Sequence, residues 1–583
     1  MKKDHRRNRD DVVWSRFFWC TIFIVISCVL FTGFNFSSFR FLFFPPPERL
    51  QPEIVPRWRM DAVATAAGHG HDSPRKLDGK EKKVWIRETV ILPDQVLLFL
   101  NYPPSSAATS PRLLTRDDLD CVYNFSSSPT ARQKNASRPP NRVDGEIVRC
   151  PLLDRSAAVS LSVKSADANA GGEILLNARP ARAWHSLAYE ALIDRDNTTV
   201  VFVKGLNLRP DKLYNVSRFE CVYGWDFTRP KFILRSEVIS IAQEIARCRT
   251  PLSLLTNPFN SSIKVTVRVK GRVTLNSVAQ PRPNPEPKLG PKPHQLCICT
   301  MLRNQAKFIR EWVMYHDEID ISRWFIYDNN SEDEIESAIT LLTGSGYNIS
   351  RHVWPWAKTQ EAGFAHCAIR ARPSCEWVGF IDVDEFLHLP SGQSLPEFLT
   401  NLTEGTSGRL LLPFQVGEVR VACHSFGPSG LTQPPTKGVI AGYTCRLFAP
   451  ERHKSIVRPE ALNSSLVNVI HHFHLGEGFG FVDADRATMV INHYKYQVWE
   501  VFKEKFYRRV ATYVADWQDE LNVGSKDRTP GLGTRAVEPD DWSSRFCEVN
   551  DTGLRDEVVR RFSDPLTGTL PWEDEAETMR QGL

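Results

Sequence analysis

The sequence lacks a strong excess of charge of either sign. Its 73 lysines and arginines face 68 aspartates and glutamates, which leaves a formal net charge of +5 over 583 residues. Nucleic-acid-binding domains usually concentrate their positive charge in a patch or stripe. Beyond the first residues of the chain the two signs are interspersed, so the sequence predicts no nucleic-acid partner.

The chain also lacks the composition of a disordered protein. It is 42% hydrophobic, 10% aromatic and 24% charged, and these values are typical of globular proteins. With about 100–200 residues per domain, a chain of 583 residues is too long for a single core. We therefore expect two or three domains with connecting segments.

One long uncharged run lies near the N-terminus. Residues 17–39 form 23 consecutive residues without a charge, and roughly 20 apolar residues cross a bilayer as a helix. Six basic residues precede the run, which predicts that the N-terminus at 1–16 is a cytosolic tail. A cleaved signal peptide is the alternative, but bulky phenylalanines stand where a small-residue cleavage site is expected. The run therefore predicts an uncleaved signal anchor.

Cysteines and glycosylation sequons point to an oxidising compartment. The chain has 13 cysteines, of which 11 follow the uncharged run, and ten N-x-S/T sequons also follow it. Disulfides and N-linked glycans both belong to the secretory pathway. Two similar segments carry cysteines at similar spacing, which predicts two equivalent disulfides, Cys121–Cys150 and Cys221–Cys248.

Two proline-containing segments divide the rest of the chain. Residues 40–82 show no apolar period and are expected to form a stem, and residues 280–294, with six prolines, are expected to form an extended linker. Between them, residues 83–279 repeat short runs rich in Val, Ile, Phe and Tyr. This pattern predicts an all-β, sandwich-like domain. Exposed aromatic residues would let it bind carbohydrate, whereas an aromatic core would make it a spacer.

Residues 295–583 alternate between apolar runs and amphipathic helical patterns. Strands are predicted for LCICTM, RWFIYDNN and ISRHVWPW, and helices for the segments between them. This βαβαβ order predicts a parallel α/β sheet with its ligand site at the carboxyl ends of the strands.

The clearest motif is EWVGFIDVDEFLHL, in which an apolar strand runs directly into Asp382 and Asp384. Residues two apart in an extended segment point the same way. Two converging carboxylates repel each other unless they are neutralised, and divalent cations that prefer oxygen ligands do this. The alternative is a solvated turn that caps the next helix.

Several segments resemble the plant branch of glycosyltransferase family 92, which includes the pectic β-1,4-galactan synthases. They occur in order over residues 295–515 and read CTMLRNQAKFIREWVMYH, WFIYDNNSED, EWVGFIDVDEFL, HKSIVRPE and INHYKY. The resemblance implies a GT-A-type, Rossmann-like catalytic domain at 295–583 and a single-pass type II protein of the Golgi membrane. It also implies inverting transfer from a nucleotide sugar to a glycan or cell-wall polysaccharide. UDP-galactose is the favoured donor, and the β-rich domain would bind carbohydrate.

The same resemblance implies roles for individual residues. Asp382 and Asp384 would hold Mn²⁺ against the diphosphate of the donor, with a further ligand from His493 or from His472, for which His474 is an alternative. A lone histidine is, however, more often a polar core residue than a ligand. The residues expected to bind the donor are Thr300, Arg303, Asn304 and Asp328 beside the nucleoside, and Lys454 and Arg458 at the diphosphate.

An inverting transfer needs a base that takes the proton of the acceptor hydroxyl. Glu385 is placed with the catalytic aspartates, but the sequence does not choose among Glu361, Glu385, Asp483 and Asp485 as the base. Two other functions stay open: a catalytically inactive lumenal carbohydrate-binding protein, and a hydrolase built on two carboxylates. A second copy of the chain, in a homodimer, also stays open as a partner.

Overall fold

The computed structural model describes most of the chain from residue 84 onward. The predicted cytosolic tail, anchor and stem lie outside the described residues. The described ranges are 84–102, 113–125, 136–164, 174–206, 208, 214–227, 233–256, 263–284, 291–404, 413–513 and 538–573.

The first half of the described chain is built almost entirely from strands. In chain order they are β1 (Trp85–Ile91), β2 (Gln95–Asn101), β3 (Leu119–Asn124), β4 (Ala136–Arg138), β5 (Arg142–Asp144), β6 (Ile147–Pro151), β7 (Ala158–Val163), β8 (Ile174–Leu176), β9 (Ala181–Ala183), β10 (Leu187–Ile193), β11 (Thr198–Lys204), β12 (Phe219–Gly224), β13 (Ile233–Ala242), β14 (Ile245–Arg249), β15 (Lys264–Val269), β16 (Asn276–Ser277) and β17 (Arg282–Pro283). A short helix, α1 (Leu252–Leu255), and the 3-10 turns Trp184–Ser186 and Val216–Arg218 lie between them.

The second half mixes strands and helices. The strands are β18 (His294–Leu302), β19 (Arg323–Asp328), β20 (Ile349–Val353), β21 (Cys375–Phe380), β22 (Glu385–His388), β23 (Gln415–Ser425), β24 (Cys445–Arg446), β25 (Arg452–Val457), β26 (Asn468–Val469), β27 (His472–Phe473), β28 (Phe479–Asp483), β29 (Val490–His493) and β30 (Val549–Asn550). The helices are α2 (Ala306–Asp317), α3 (Ile335–Gly344), α4 (Gln360–Ala371), α5 (Leu395–Glu404), α6 (Val439–Gly442), α7 (Trp499–Tyr513) and α8 (Gly553–Phe562), with 3-10 turns at Pro459–Ala461 and Trp542–Ser544.

Strands β1–β9 form a first β module. It has a five-stranded sheet in the order β5-β6-β2-β1-β9 and a four-stranded sheet in the order β4-β3-β7-β8. Buried side chains from both sheets, such as Leu98 and Leu161, form its core. The predicted Cys121–Cys150 disulfide is confirmed and joins β3 to β6.

Strands β10–β17 form a second β module that repeats the pairing pattern of the first. Its eight-stranded sheet has the order β15-β12-β13-β14-β11-β10-β16, and β17 also pairs with β10. In each module the first two strands form an antiparallel pair with an irregular register near its start, and the first strand also has a parallel neighbour. The predicted Cys221–Cys248 disulfide is confirmed and joins β12 to β14. The weak sequence echo between the two cysteine pairs therefore reflects a duplicated module.

The second half of the chain is organised by a nine-stranded sheet. Strands β20, β19, β18 and β21 run parallel, as the βαβαβ pattern predicts. Beyond β21 the order continues β25-β23-β29-β22, and β28 also pairs with β23. Apolar residues of α2 and α3, such as Trp312 and Ile339, pack on one face. On the other face, residues of α4 such as Phe364 pack together with residues of both β modules such as Phe99 and Phe202.

The predicted fold class is therefore wrong as a whole. A Rossmann-like sheet is built from parallel strands, whereas β25 runs antiparallel to β21, and β29 antiparallel to β22. Instead of the predicted single sandwich, the structure has two successive β modules. The first module contains two sheets and the second contains one. No helix among the described residues is long and apolar enough to cross a bilayer, and the transmembrane helix predicted at 17–39 falls outside those residues.

Three further disulfides hold the second half together. Cys297–Cys375 ties β18 to β21, Cys299–Cys367 ties β18 to α4, and Cys445–Cys547 lies near the C-terminus. Within the part of the chain that the structure describes, Cys423 is the free cysteine, and it is buried.

Candidate active site

The aspartate motif forms a tight turn at the carboxyl end of β21. The Glu385 amide donates to the Asp382 carbonyl at 3.0 Å, and the Asp382 amide donates to Glu385 Oε2 at 2.9 Å. This i to i+3 pattern is that of a β-turn. The chain then enters β22, which pairs with β29 and places His493 opposite Glu385. The segment is thus a turn rather than the extended strand end that alternation implies.

Asp382 is neutralised by a lysine. Lys454 Nζ donates to Asp382 Oδ2 at 3.0 Å and lies 2.7 Å from Glu385 Oε1. Lys454 also donates to His471 Nε2 at 2.7 Å, and His471 Nδ1 donates to the Phe380 carbonyl at 2.8 Å. Burial raises the pKa of Asp382, but the positive charge of Lys454 outweighs it, and the pKa falls to about 2. Asp382 is therefore ionised at neutral pH.

Asp384 is neutralised by a different lysine, from α7. Lys505 Nζ contacts Asp384 Oδ2, and His493 Nε2 lies 3.3 Å from the same oxygen. Burial raises the pKa of Asp384, but Lys505 and His493 lower it well below its usual range. The two aspartates thus stay negative in a site where each has its own lysine.

Asp382, Asp384 and His493 offer the donor types of a divalent-cation site, whereas the three residues here whose ligand atoms all lie within 4.8 Å of one another are Glu385, Cys423 and His493. Two carboxylates and an imidazole are ligands that Mn²⁺ accepts. His493 Nε2 is fully buried, and no described residue forms a hydrogen bond with it although it faces the Asp384 carboxylate. A buried polar atom left in this way is costly unless it has a ligand. The residues that would hold the ion are Asp382, Asp384 and His493.

The structure brings His471, and not His472, to the aspartates. His472 Nδ1 lies 2.8 Å from Ser455 Oγ and 3.8 Å from Glu418 Oε1, and its ring lies 4.2 Å from that of His453. Among the described residues, the carboxylate found within 4 Å of His472 is that of Glu418, and not that of Asp382 or Asp384. The predicted metal-ligand role of His472 therefore has no support from this geometry, since Asp382 and Asp384 have other partners.

Lys454 and Arg458, predicted together at the diphosphate, lie at opposite ends of one segment. Strand β25 runs antiparallel to β21, with Val457 opposite Val378, so Lys454 lies near the end of β21 where Asp382 begins. Arg458 lies at the other end, 5.9 Å from the centre of the Trp377 ring. Four residues of strand span roughly 13 Å. Arg458 therefore lies at the far end of this segment from the turn, and its role at the diphosphate stays a prediction.

The residues predicted beside the nucleoside follow β18 and β19. The Thr300 hydroxyl is fully buried and has no hydrogen-bond partner among the described residues. Arg303 is 41% exposed at its side chain and lies 3.2 Å from Glu332. Asn304 adopts a φ of 53° and accepts a hydrogen bond from the Glu332 amide at 2.8 Å. Arg303 and Asn304 belong to the loop that follows β18, whereas Thr300 is a buried residue of β18 itself.

Asp328 sits in a different setting from the aspartate turn. Arg351 donates to Asp328 Oδ2 through Nε at 2.9 Å and through Nη2 at 2.6 Å, and the Ser331 amide donates to Oδ1 at 2.9 Å. Arg351 also donates to Asp144 of the first β module at 2.8 Å. Both oxygens of Asp328 are therefore engaged, and its role toward a nucleoside stays a prediction.

The four base candidates differ in accessibility. Glu385 is 0% exposed, and both of its oxygens face partners, Lys454 and the Asp382 amide. Glu361 is half-buried in the first turn of α4, whereas Asp483 and Asp485 are exposed. Glu385 therefore supports the turn and the lysine rather than facing an acceptor.

Sequence reasoning missed two members of the site, His471 and Lys505. His471 directly precedes the predicted His472, and only the position of β27 decides which of the two faces Asp382. Lys505 stands on α7, more than one hundred residues after the turn, within the pattern of an ordinary amphipathic helix. No local motif marks it.

Comparison with solved structures finds distant similarities. A mannosyltransferase of Pyrobaculum calidifontis in complex with GDP-mannose and Mn²⁺ is 11% identical, with 51% of this chain and 83% of that chain covered and a TM-score of 0.22. A glucosyl-3-phosphoglycerate synthase of Mycobacterium tuberculosis in complex with Mn²⁺ and UDP is 13% identical, with 36% and 75% covered and a TM-score of 0.19. Similarities at this level carry no argument about the present chain.

Comparison with protein sequences is decisive. A family model for glycosyltransferase family 92 matches residues 292–521. A family 92 protein of Ricinus communis is 60% identical over 97% of this chain and 99% of that protein. Family 92 proteins of rice and of Arabidopsis thaliana are 50% and 46% identical, with 90% and 85% of this chain and 88% and 86% of those proteins covered. The chain therefore belongs to glycosyltransferase family 92.

Proposed function

We propose that this glycosyltransferase transfers a hexose, with UDP-galactose as the donor, onto a glycan or cell-wall polysaccharide, with inversion at the anomeric carbon and with Mn²⁺ at Asp382 and Asp384. The observation that carries the proposal is the aspartate turn itself. It holds two ionised carboxylates, a buried imidazole nitrogen that lacks a hydrogen bond, and two lysines at the end of a central strand.

The lysines are suited to different tasks. Lys454 is 6% exposed and lies between Asp382, Glu385 and His471, so it is a fixed positive charge beside the turn. Lys505 is 25% exposed at its side chain and, among the described ion pairs, has Asp384 as its carboxylate partner. Lys505 can therefore leave Asp384 for the phosphates of a donor, whereas Lys454 stays with the turn.

Negative charge develops on the nucleoside diphosphate as the glycosidic bond breaks, and the positive groups of the site would stabilise this charge. When bound, Mn²⁺ supplies Lewis-acid stabilisation of the leaving diphosphate. Lys454 and Lys505 add hydrogen bonds and positive charge in a partly buried setting, where electrostatic interactions are stronger than in water. Because Glu385 is engaged, we assign the base to one of the other three candidates, Glu361, Asp483 and Asp485.

The proposal also covers compartment and domain division. Five disulfides within the described residues fit an oxidising compartment, and we place the enzyme in the Golgi lumen. We propose a division into a β-rich part at 83–279, a linker at 280–294 and a transferase part at 295–583, although β17 at Arg282–Pro283 extends the second β module into the linker range. The sequence resemblance to galactan synthases supports UDP-galactose as the proposed donor.

A donor screen tests the proposal. UDP release by the purified full-length chain is measured with a panel of UDP-sugars, with and without oligosaccharide acceptors, in Mn²⁺ and after EDTA. We expect release that requires Mn²⁺, is highest with UDP-galactose and increases with a galactan acceptor. NMR of the product would show inverted anomeric configuration.

The controls separate the parts of the proposal. Asp320→Asn removes an exposed aspartate at a φ of 70°, a conformation that asparagine tolerates, and should leave UDP release unchanged. Release that survives EDTA would refute metal dependence. Preference for another UDP-sugar would refute the donor assignment while leaving the family activity intact.

A further inference from the structure

A second cluster of metal-binding side chains lies away from the aspartate turn. Glu190 comes from β10 of the second β module, His352 from β20, and His366 from α4. One ligand atom of each residue lies within 4.8 Å of the ligand atoms of the other two. The cluster therefore joins a β module to the nine-stranded sheet.

Neighbouring side chains hold two of these three residues in place. Tyr327 Oη lies 2.6 Å from His366 Nδ1, and the Trp356 side chain is hydrogen bonded to the Glu190 carboxylate. The rings of His352 and His366 are stacked with their centres 5.1 Å apart. Metal-bound imidazoles and carboxylates are typically oriented in this way by a hydrogen bond to the atom that does not bind the ion.

Both imidazoles have a lone pair to offer. Burial lowers the pKa of His352 to about 3 and that of His366 well below its usual range, so neither ring is protonated at neutral pH. Burial raises the pKa of Glu190 to about 7, against the opposing effect of Arg282 and Arg87. A bound cation would displace the proton from this carboxyl group.

The surrounding charges decide which cation fits. Arg87, Arg282 and Arg370 all act on Glu190, and their positive charge disfavours a cation that is held by charge alone. Hard ions such as Mg²⁺ and Ca²⁺ depend on several carboxylates. Zn²⁺ instead forms strong bonds to neutral imidazole nitrogen, and two histidines with one glutamate are a known zinc ligand set.

We propose that Glu190, His352 and His366 bind one Zn²⁺ ion that fastens the second β module to the nine-stranded sheet. The three ligand atoms now lie within 4.8 Å of one another, and they would draw closer together to reach the usual zinc distances of about 2.0–2.2 Å. A water molecule would complete the coordination. The site is independent of the aspartate turn and of the reaction proposed for it.

Zinc titration of the full-length chain tests this site. The protein carries Asp384→Asn to weaken the aspartate site, is stripped with a chelator, and is titrated with Zn²⁺ by calorimetry. We expect one high-affinity equivalent per chain. In the same background Glu190→Gln, which keeps the size of the side chain, should weaken binding at least tenfold, and His352→Gln should do the same. Co²⁺ in place of Zn²⁺ should give visible absorption bands that both substitutions abolish.

Glu376→Gln is the matched control, because Glu376 is an exposed glutamate on β21. It should bind Zn²⁺ as the parent does. Circular dichroism of the metal-free variants confirms that each has folded, and whichever of Glu190→Gln and His352→Gln folds carries the test. Absence of a high-affinity equivalent in the parent, or equal zinc affinity in Glu190→Gln, His352→Gln and Glu376→Gln, would overturn the proposal.

Discussion

Two parallel strands of the nine-stranded sheet, β19 and β21 on either side of β18, end in carboxylates, and the protein neutralises these carboxylates differently. Asp328, at the end of β19, receives two hydrogen bonds from the guanidinium of Arg351, which also binds Asp144 of the first β module. Asp382 and Asp384, after β21, each face the ammonium group of a lysine. Both sites balance negative charge at the same edge of the sheet.

The difference between the two cations separates a structural site from a chemical one. A guanidinium binds a carboxylate through a rigid, two-pronged geometry and is well suited to a permanent ion pair. An ammonium group is a point charge on a flexible stem and can change partners. Asp328 thus helps to connect the sheet to the first β module through Arg351. Asp382 and Asp384 instead form a site in which a metal ion can replace a lysine ammonium group as the partner of the carboxylate.

The largest effect is expected at the aspartate turn. Asp384→Asn keeps the size of the side chain and removes one charge from the metal site, and turnover should fall by about 10²–10³-fold, as when a principal electrostatic contact is lost. Steady-state UDP release, measured beside Asp382→Asn and Asp320→Asn, checks this. Near-normal turnover in Asp384→Asn would mean that the aspartate turn has only a structural role.

The opposite pattern is expected for Asp328→Asn. This change leaves Arg351, whose side chain is 14% exposed, without one of its two aspartates. Breaking a buried ion pair by removing one partner costs about 3 kcal/mol or more, so the free energy of unfolding should fall by about 3 kcal/mol. Urea denaturation measures the loss. At saturating donor the folded variant should keep most of its turnover, and a large rise in the KM for the donor alone would instead support the predicted contact with the nucleoside.

Sequence patterns predicted the parts of the fold that depend on local order. The apolar runs at β18, β19 and β20 and the amphipathic pattern of α2 each correspond to one element. Cysteine spacing predicted both disulfides of the β modules. These features depend on residues close in sequence, where periodicity and spacing are informative.

The rest depends on contacts between distant segments. Strand β25 joins the sheet beside β21 in antiparallel orientation, and this pairing carries Lys454 to Asp382 and Arg458 away from it. A shift of one residue in the position of β27 would exchange His471 and His472. No pattern in a single sequence specifies such a register, so the position of His471 beside Asp382 was not predictable.

A smaller effect is expected in acid. The pKa of Asp382 in the folded protein is about 2, below its value of about 3.9 in an unfolded chain. Stability from its pairing with Lys454 is therefore present above pH 4 and is lost as the pH falls toward 2. Because Asp382 is partly exposed, we expect a contribution of about 1 kcal/mol. Thermal unfolding of metal-free protein between pH 5 and 2.5 should show a steeper loss for wild type than for Asp382→Asn, and equal losses would contradict the pairing.

We expect Lys505 and Mn²⁺ to compete for Asp384, and measured Mn²⁺ affinity tests this competition. Electron paramagnetic resonance counts free Mn²⁺ and gives its affinity for wild type and for Lys505→Met, which removes the charge and keeps a long side chain. Loss of a competing ion pair worth about 1 kcal/mol should tighten Mn²⁺ binding about fivefold, while turnover falls because the diphosphate loses a cation. Unchanged or weaker Mn²⁺ binding in Lys505→Met would show that Lys505 and Mn²⁺ do not compete for Asp384.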